Sequence, residues 1–146
     1  MTFADTLASI EALAETGDLS GALARLEATR PGLAPHDASA LLVLQGALTA
    51  RTGDLDGSLV HLQHAEALAQ AAKRPDVRLE ASVTRASVLA AMGRYDDAIP
   101  LLSRSIIALR DHPELSGLLS DAQAELRSYR NLVSPKTLAT WASLLG

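Results

Sequence analysis

The sequence predicts an all-α chain, an α-solenoid of antiparallel helix hairpins, and three observations carry that prediction. A seven-residue block is written three times, as Gly17-Asp18-Leu19-Ser20-Gly21-Ala22-Leu23, Gly53-Asp54-Leu55-Asp56-Gly57-Ser58-Leu59 and Gly93-Arg94-Tyr95-Asp96-Asp97-Ala98-Ile99. Each copy has an alanine three residues before its glycine (Ala14, Ala50, Ala90) and a leucine nine residues after it (Leu26, Leu62, Leu102). Between the blocks, apolar residues recur at helical spacing. Only glycine takes a left-handed backbone cheaply, so each block reads as the stop of one helix followed by a residue able to cap the next. The 146 residues amount to one domain, 1–146, with a core of Leu, Ala and Val, because 48% of the chain is hydrophobic and only 3% aromatic.

The first hairpin spans about residues 3–31. Its first helix, from about Ala4 to Thr16, carries Leu7, Ile10 and Leu13 on one stripe, and Gly17 ends it. Asp18 caps a second helix bearing Leu19, Ala22, Leu23 and Leu26, which fades at Arg30-Pro31-Gly32. The second hairpin covers about 37–73. Asp37 is its expected N-cap, and Leu41, Leu42, Leu44 and Leu48 make its first helix apolar over more than half its circumference, as for a helix between neighbours. Gly53 and Asp54 repeat the turn, and Leu55, Leu59, Leu62, Ala65 and Leu68 carry the fourth helix to about Lys73.

Pro75 opens the third hairpin, about 75–111, with Leu79, Val83, Val88, Leu89 and Met92 on its first helix and Tyr95, Ile99, Leu102, Ile106 and Leu109 on its second. Pro100 lies near the start of that sixth helix, where a missing N–H predicts a mild kink and no break. A degenerate pair of capping helices is expected after it, about 113–130 and 135–145. Leu115, Leu118, Leu119, Ala122, Leu126 and Tyr129 form the first stripe. Ser134 as N-cap, Pro135 at the first helical position and Val133 against Leu138 begin the second, which continues through Trp141, Leu144 and Leu145. A stack of repeats needs such an atypical end to close it.

Paired helices with Gly at the turn, a small residue five positions on and a large apolar residue nine positions on resemble tetratricopeptide repeats, whose usual period is about 34 residues. Here the glycines are 36 and 40 apart, which resembles the longer-period variants of bacterial regulators. The resemblance covers about residues 3–109, most closely in the second helix of each pair. In the first helices the family prefers a large residue, Leu, Gly and Tyr at fixed spacing. The middle repeat offers Leu42, Gln45, Gly46 and Thr49, and the third offers Ser82, Arg85, Ala86 and Leu89. The resemblance implies a concave groove lined by the first helices, which binds a peptide or helix of a partner protein. In the family register its lining is Leu7, Glu11 and Glu15, then Val43, Ala47 and Arg51, then Glu80, Val83, Thr84 and Ser87. Val43 and Val83 also fit simple packing between helices. The groove lacks the lysine and asparagine pairs with which chaperone-adaptor members of the family clamp a C-terminal carboxylate, since the only lysines are Lys73 and Lys136.

Charge narrows the partner. Residues 1–72 hold nine acids and three bases, net −6, and residues 73–146 hold eight acids and ten bases, net +2. The first half repels nucleic acid, and in the second half Asp76 and Glu80 interrupt the densest basic stretch, Lys73, Arg74, Arg78 and Arg85. No clustered basic stripe of the kind nucleic acid needs is present, and a solvated helix face explains these residues better. The longest apolar stretch, Ala40 to Ala50, is broken by Gln45 and Gly46 and is too short to cross a bilayer. With acids and no base before Arg25, the start of the chain is unlike a secretory leader, and without cysteine a reducing cytoplasm is the expected setting.

Nothing in the sequence points to an enzyme or a cofactor. His61 and His64 are three apart on one helix, but His36 and His112 fall in loops and a stable zinc site needs three or four convergent ligands. Asp96-Asp97 stands in the first turn of a helix, where carboxylates favour the dipole. No phosphate-cradling glycine loop or nucleophile elbow occurs. Two expectations follow: a protein-binding scaffold that takes a peptide or helix in its groove, or a self-association module that pairs as a homodimer through Leu138, Trp141, Leu144 and Leu145 on the last helix.

Overall fold

Four helix ends are closed by one backbone device. Gly17, Gly53 and Gly93 have φ of 91°, 95° and 77°, in the left-handed region. Their N–H groups donate to the carbonyls of Ala14, Ala50 and Ala90 at 3.1, 3.0 and 2.9 Å, which gives the alanine before each block its place in the turn. Lys73 closes the fourth end with φ 57°, and the Arg74 N–H reaches back to the Ala69 carbonyl at 2.8 Å. A side chain at that φ costs about 1–2 kcal/mol relative to the right-handed region.

The computed structural model describes residues 2–129 together with 132 and 133. Among these residues there are seven α-helices, one 3₁₀ turn and no strand, and helix accounts for 82%. The helices are α1 (Phe3–Glu15), α2 (Leu19–Thr29), α3 (Pro35–Arg51), α4 (Leu55–Ala71), α5 (Pro75–Ala91), α6 (Tyr95–Leu109) and α7 (Ser116–Ser128). The expected helix at 135–145, with its cap and staple, lies outside the described residues.

Local chemistry sets the starts. Thr2 and Asp5 form a reciprocal capping box on α1, and Asp18 and Asp54 accept from the Gly21 and Gly57 N–H groups at 2.8 and 2.9 Å. The third copy departs from this: Arg94 gives no side-chain cap and pairs instead with Asp97 at 2.9 Å. Asp37 is not the cap of α3. That helix starts earlier, with Ala34 as N-cap and Pro35 at the first position, because proline's fixed φ suits a helix start and its missing N–H is not needed there. Asp37 sits in the first turn. Likewise α4 stops at Ala71, ahead of the left-handed Lys73, and α7 begins at Ser116 after a 3₁₀ turn over Pro113–Leu115. Through Pro100, α6 runs unbroken.

Two compact units divide the chain, Met1–Arg78 and Leu79–Gly146. In the first, α1 packs on α2 and α3 on α4, and α3 also touches α1 and α2. Ile10, Ala14, Ala22, Leu26, Leu41 and Leu48 form one buried cluster there, with Phe3, Leu7, Leu13, Leu19 and Leu23 packed against it. α3 and α4 approach closely at Gly46, where a Cβ would fall 2.7 Å from Leu62 Cδ2. In the second unit α6 packs on α7, and Ile99, Leu102, Ile106, Leu109, Ala122 and Leu126 are buried.

Three side-chain bonds join residues 37 or 38 apart. Arg51 Nη2 donates to the Ala14 carbonyl 37 residues away, Arg74 Nη1 to the His36 carbonyl 38 away, and Ser87 Oγ to Glu125 Oε1 38 away. That spacing falls between the 36 and 40 residues that separate the turn glycines. Packing between consecutive helices is consistent with a helical repeat.

Candidate functional site

In the first unit, the residues singled out by sequence lie on α1 and α3 and differ in what they present. Glu11 and Glu15 are exposed on α1, four residues apart on one face, whereas Leu7 is half-buried against the core. On α3, Val43 is 6% exposed and Ala47 half-buried. Arg51 is exposed, but its guanidinium donates to the Ala14 carbonyl at 3.3 Å, so it ties the end of α3 to the last turn of α1 beside Glu15. A cation there also favours the negative end of the α1 dipole.

In the second unit the set lies on α5. Glu80 is exposed, Val83 is 6% exposed, and Thr84 and Ser87 are half-buried. The Thr84 hydroxyl is spent on the Glu80 carbonyl at 2.8 Å. The Ser87 hydroxyl, 3.2 Å from the Val83 carbonyl of its own helix, also reaches α7, where its Oγ meets Glu125 Oε1 at 2.5 Å. The same carboxylate oxygen accepts from the Tyr129 hydroxyl, and the Tyr129 ring meets Tyr95 edge-on with centroids 5.5 Å apart. Burial, with the Glu125 carboxylate second, holds the Tyr129 phenol well above its ordinary pKa, so it remains a proton donor. Neither Glu125 nor this cluster was legible as a site, since a lone acid on a helix reads as solvated. Its signal was the separation of 38 from Ser87, between the 36 and 40 that separate the turn glycines.

A second polar group joins α2 and α3 and acts electrostatically on His61 of α4. Gln45, buried on α3, donates from Nε2 to Glu27 Oε1 at 2.7 Å, and Arg30 stands 4.0 Å from the same oxygen. Burial first, and Arg30 next, depress the His61 pKa, which keeps its imidazole neutral. Among the described residues no three His, Asp or Glu side chains are grouped so as to hold a metal ion.

No family model, curated protein or solved structure matches the chain. The chemistry must therefore be read from the side chains alone. On α1 these are the exposed carboxylates of Glu11 and Glu15, on α3 apolar residues and the Arg51 guanidinium, and on α5 the exposed Glu80 with the hydroxyls of Thr84 and Ser87. No helix of the described residues is long and apolar enough to cross a membrane.

Proposed function

We propose that the chain is a protein-interaction scaffold of the tetratricopeptide type, cytoplasmic, which takes a peptide or helix of a partner on the face made by the first helices of its hairpins. The observation that carries this is the linkage of first helices one repeat apart, Arg51 to the Ala14 carbonyl and Ser87 to Glu125. Neighbouring first helices stand side by side where such contacts form, and a row of them is the surface that stacked hairpins offer to extended or helical ligands. The exposed Glu11 and Glu15 give the α1 face of the first unit an acidic bias, and Glu80 gives one to α5 in the second unit, which favours basic segments. Equilibrium binding of basic and acidic peptide pools to the full chain tests the reading. Retention of the basic pool, weakening as salt rises, is expected, because exposed charges are screened over about 8 Å at physiological ionic strength. Preference for the acidic pool overturns it.

Self-association is the second reading, favoured by Val60 at 65% and Ile107 at 44% exposure on second helices. Light scattering across a dilution series decides it. A dimer that persists on dilution and retains neither peptide pool supports this reading over the first.

A further inference from the structure

We infer that Glu125 on α7 is a preoriented receptor for a single cationic group, the guanidinium or ammonium of a partner's Arg or Lys side chain. Its carboxylate is half-buried and carries both of its side-chain hydrogen bonds on one oxygen, Oε1, from Ser87 and Tyr129. Both donors are themselves fixed. Ser87 stands on α5, and Tyr129 is 9% exposed with its ring against Tyr95. The other oxygen, Oε2, accepts no hydrogen bond from the described residues and is not among their buried, unsatisfied atoms. No Lys, Arg or His of the described residues lies within salt-bridge distance of it.

A carboxylate that is partly withdrawn from water, oriented by two hydroxyls and without a counter-ion among the described residues presents one accessible acceptor edge. A cation bearing N–H donors complements that edge, and such charge-assisted bonds are about twice as strong as neutral ones. Because the carboxylate is already oriented, little ordering cost falls on binding. An anion is excluded by like charge. A neutral amide would satisfy the hydrogen bond and leave the charge uncompensated. The biological partner rests on the docking reading above, whereas the local chemistry does not.

The test is a chemical-shift titration of the full chain with N-acetyl-argininamide and, in parallel, with the uncharged isostere N-acetyl-citrullinamide. Saturating shifts at Ser87, Glu125 and Tyr129 are expected with the arginine compound, and at least tenfold weaker ones with citrulline. E125Q keeps an oxygen for both hydroxyls but loses the charge, and should weaken the arginine compound roughly tenfold with the fold intact. If E125Q does not fold, S87A carries the test. It keeps the charge and loosens the carboxylate, so argininamide should bind severalfold more weakly. Equal shifts with citrulline, or unchanged binding to E125Q, overturn the inference, as does unchanged binding to S87A where that variant carries the test. A basic peptide pool retained equally by wild type and E125Q also overturns it while leaving the docking reading in place. Argininamide binding that depends on Glu125, without retention of any peptide pool, upholds it and removes the docking reading.

Discussion

Ser58 Oγ donates a 2.7 Å hydrogen bond to the carbonyl oxygen of Gly46, joining α4 to α3 at a position where a Cβ on residue 46 would run into Leu62. Both residues are buried, and each is the small residue that the contact needs: Gly46 has no Cβ to meet Leu62, and Ser58 spends its hydroxyl on the facing helix. The serine of the second block therefore does what a small residue does at a helix crossing, and adds a bond.

Replacing Gly46 by alanine places a Cβ 2.7 Å from Leu62 Cδ2 and Cγ, in a packed interior that cannot readily yield. We expect Gly46→Ala to lose about 1–3 kcal/mol despite the better helix propensity of alanine, and Ser58→Ala to lose about 1 kcal/mol. Denaturant melts of both variants check this; a Gly46→Ala protein as stable as the wild type would contradict the crossing.

At the turns, the conformation of the backbone decides the outcome. Gly53 has φ 95° and nothing within 4 Å of an added Cβ, so Gly53→Val meets no clash and its cost, about 1–2 kcal/mol, is conformational. From sequence, Gly57→Ala looks neutral or stabilising. The structure revises that, because the new Cβ would stand 2.3 Å from Asp54 Oδ2, part of the carboxylate that caps the Gly57 N–H. A helix-propensity gain of up to about 1 kcal/mol is then offset by a disturbed cap worth about 0.5–2 kcal/mol. Thermal melts should show Gly57→Ala no more stable than the wild type.

Lys73→Gly should raise stability by about 1 kcal/mol, since it relieves a left-handed side chain and removes no side-chain bond on which the turn depends. The turn's own bonds, from the Lys73 and Arg74 N–H groups to Gln70 and Ala69, are backbone ones and survive the change. A lower melting temperature for this variant would mean that the lysine side chain holds the turn.

Acid should weaken the first unit in two windows. The folded chain depresses the His61 pKa below 6.5, so stability is fully present above that value and is lost as pH falls through the folded pKa. Asp76 is held below 3.8, chiefly by its hydrogen bond from Arg74, and loses its contribution as pH falls below that value. His61→Gln should abolish the upper window and leave the lower one, as read by melts across pH; an NMR titration midpoint for His61 above 6.5 would contradict the sign.

What the sequence made legible was local. The glycine turns, the Asp18 and Asp54 caps and the ends at Pro31-Gly32 and Pro75 follow from backbone chemistry that a few adjacent residues determine. The α3 start was misplaced because Asp37 and Pro35 are both good start signals, and proline at the first helical position prevailed. The candidate face was less legible. Whether Val43 and Val83 face a ligand or a neighbouring helix depends on helix rotation, which periodicity leaves loose when most of a helix is apolar, and both are buried. Glu125 was invisible because its character comes from Ser87 and Tyr129, and no short motif joins residues 38 apart.

The docking claim is tested most directly by mapping where a bound basic peptide sits, through chemical-shift changes across the full chain. The account predicts changes gathered on the first helices of the first unit, at Glu11 and Glu15 on α1 and Arg51 on α3, and their loss in a Glu11→Lys, Glu15→Lys variant. Changes centred instead on the second helices, around Val60 and Ile107, would contradict it.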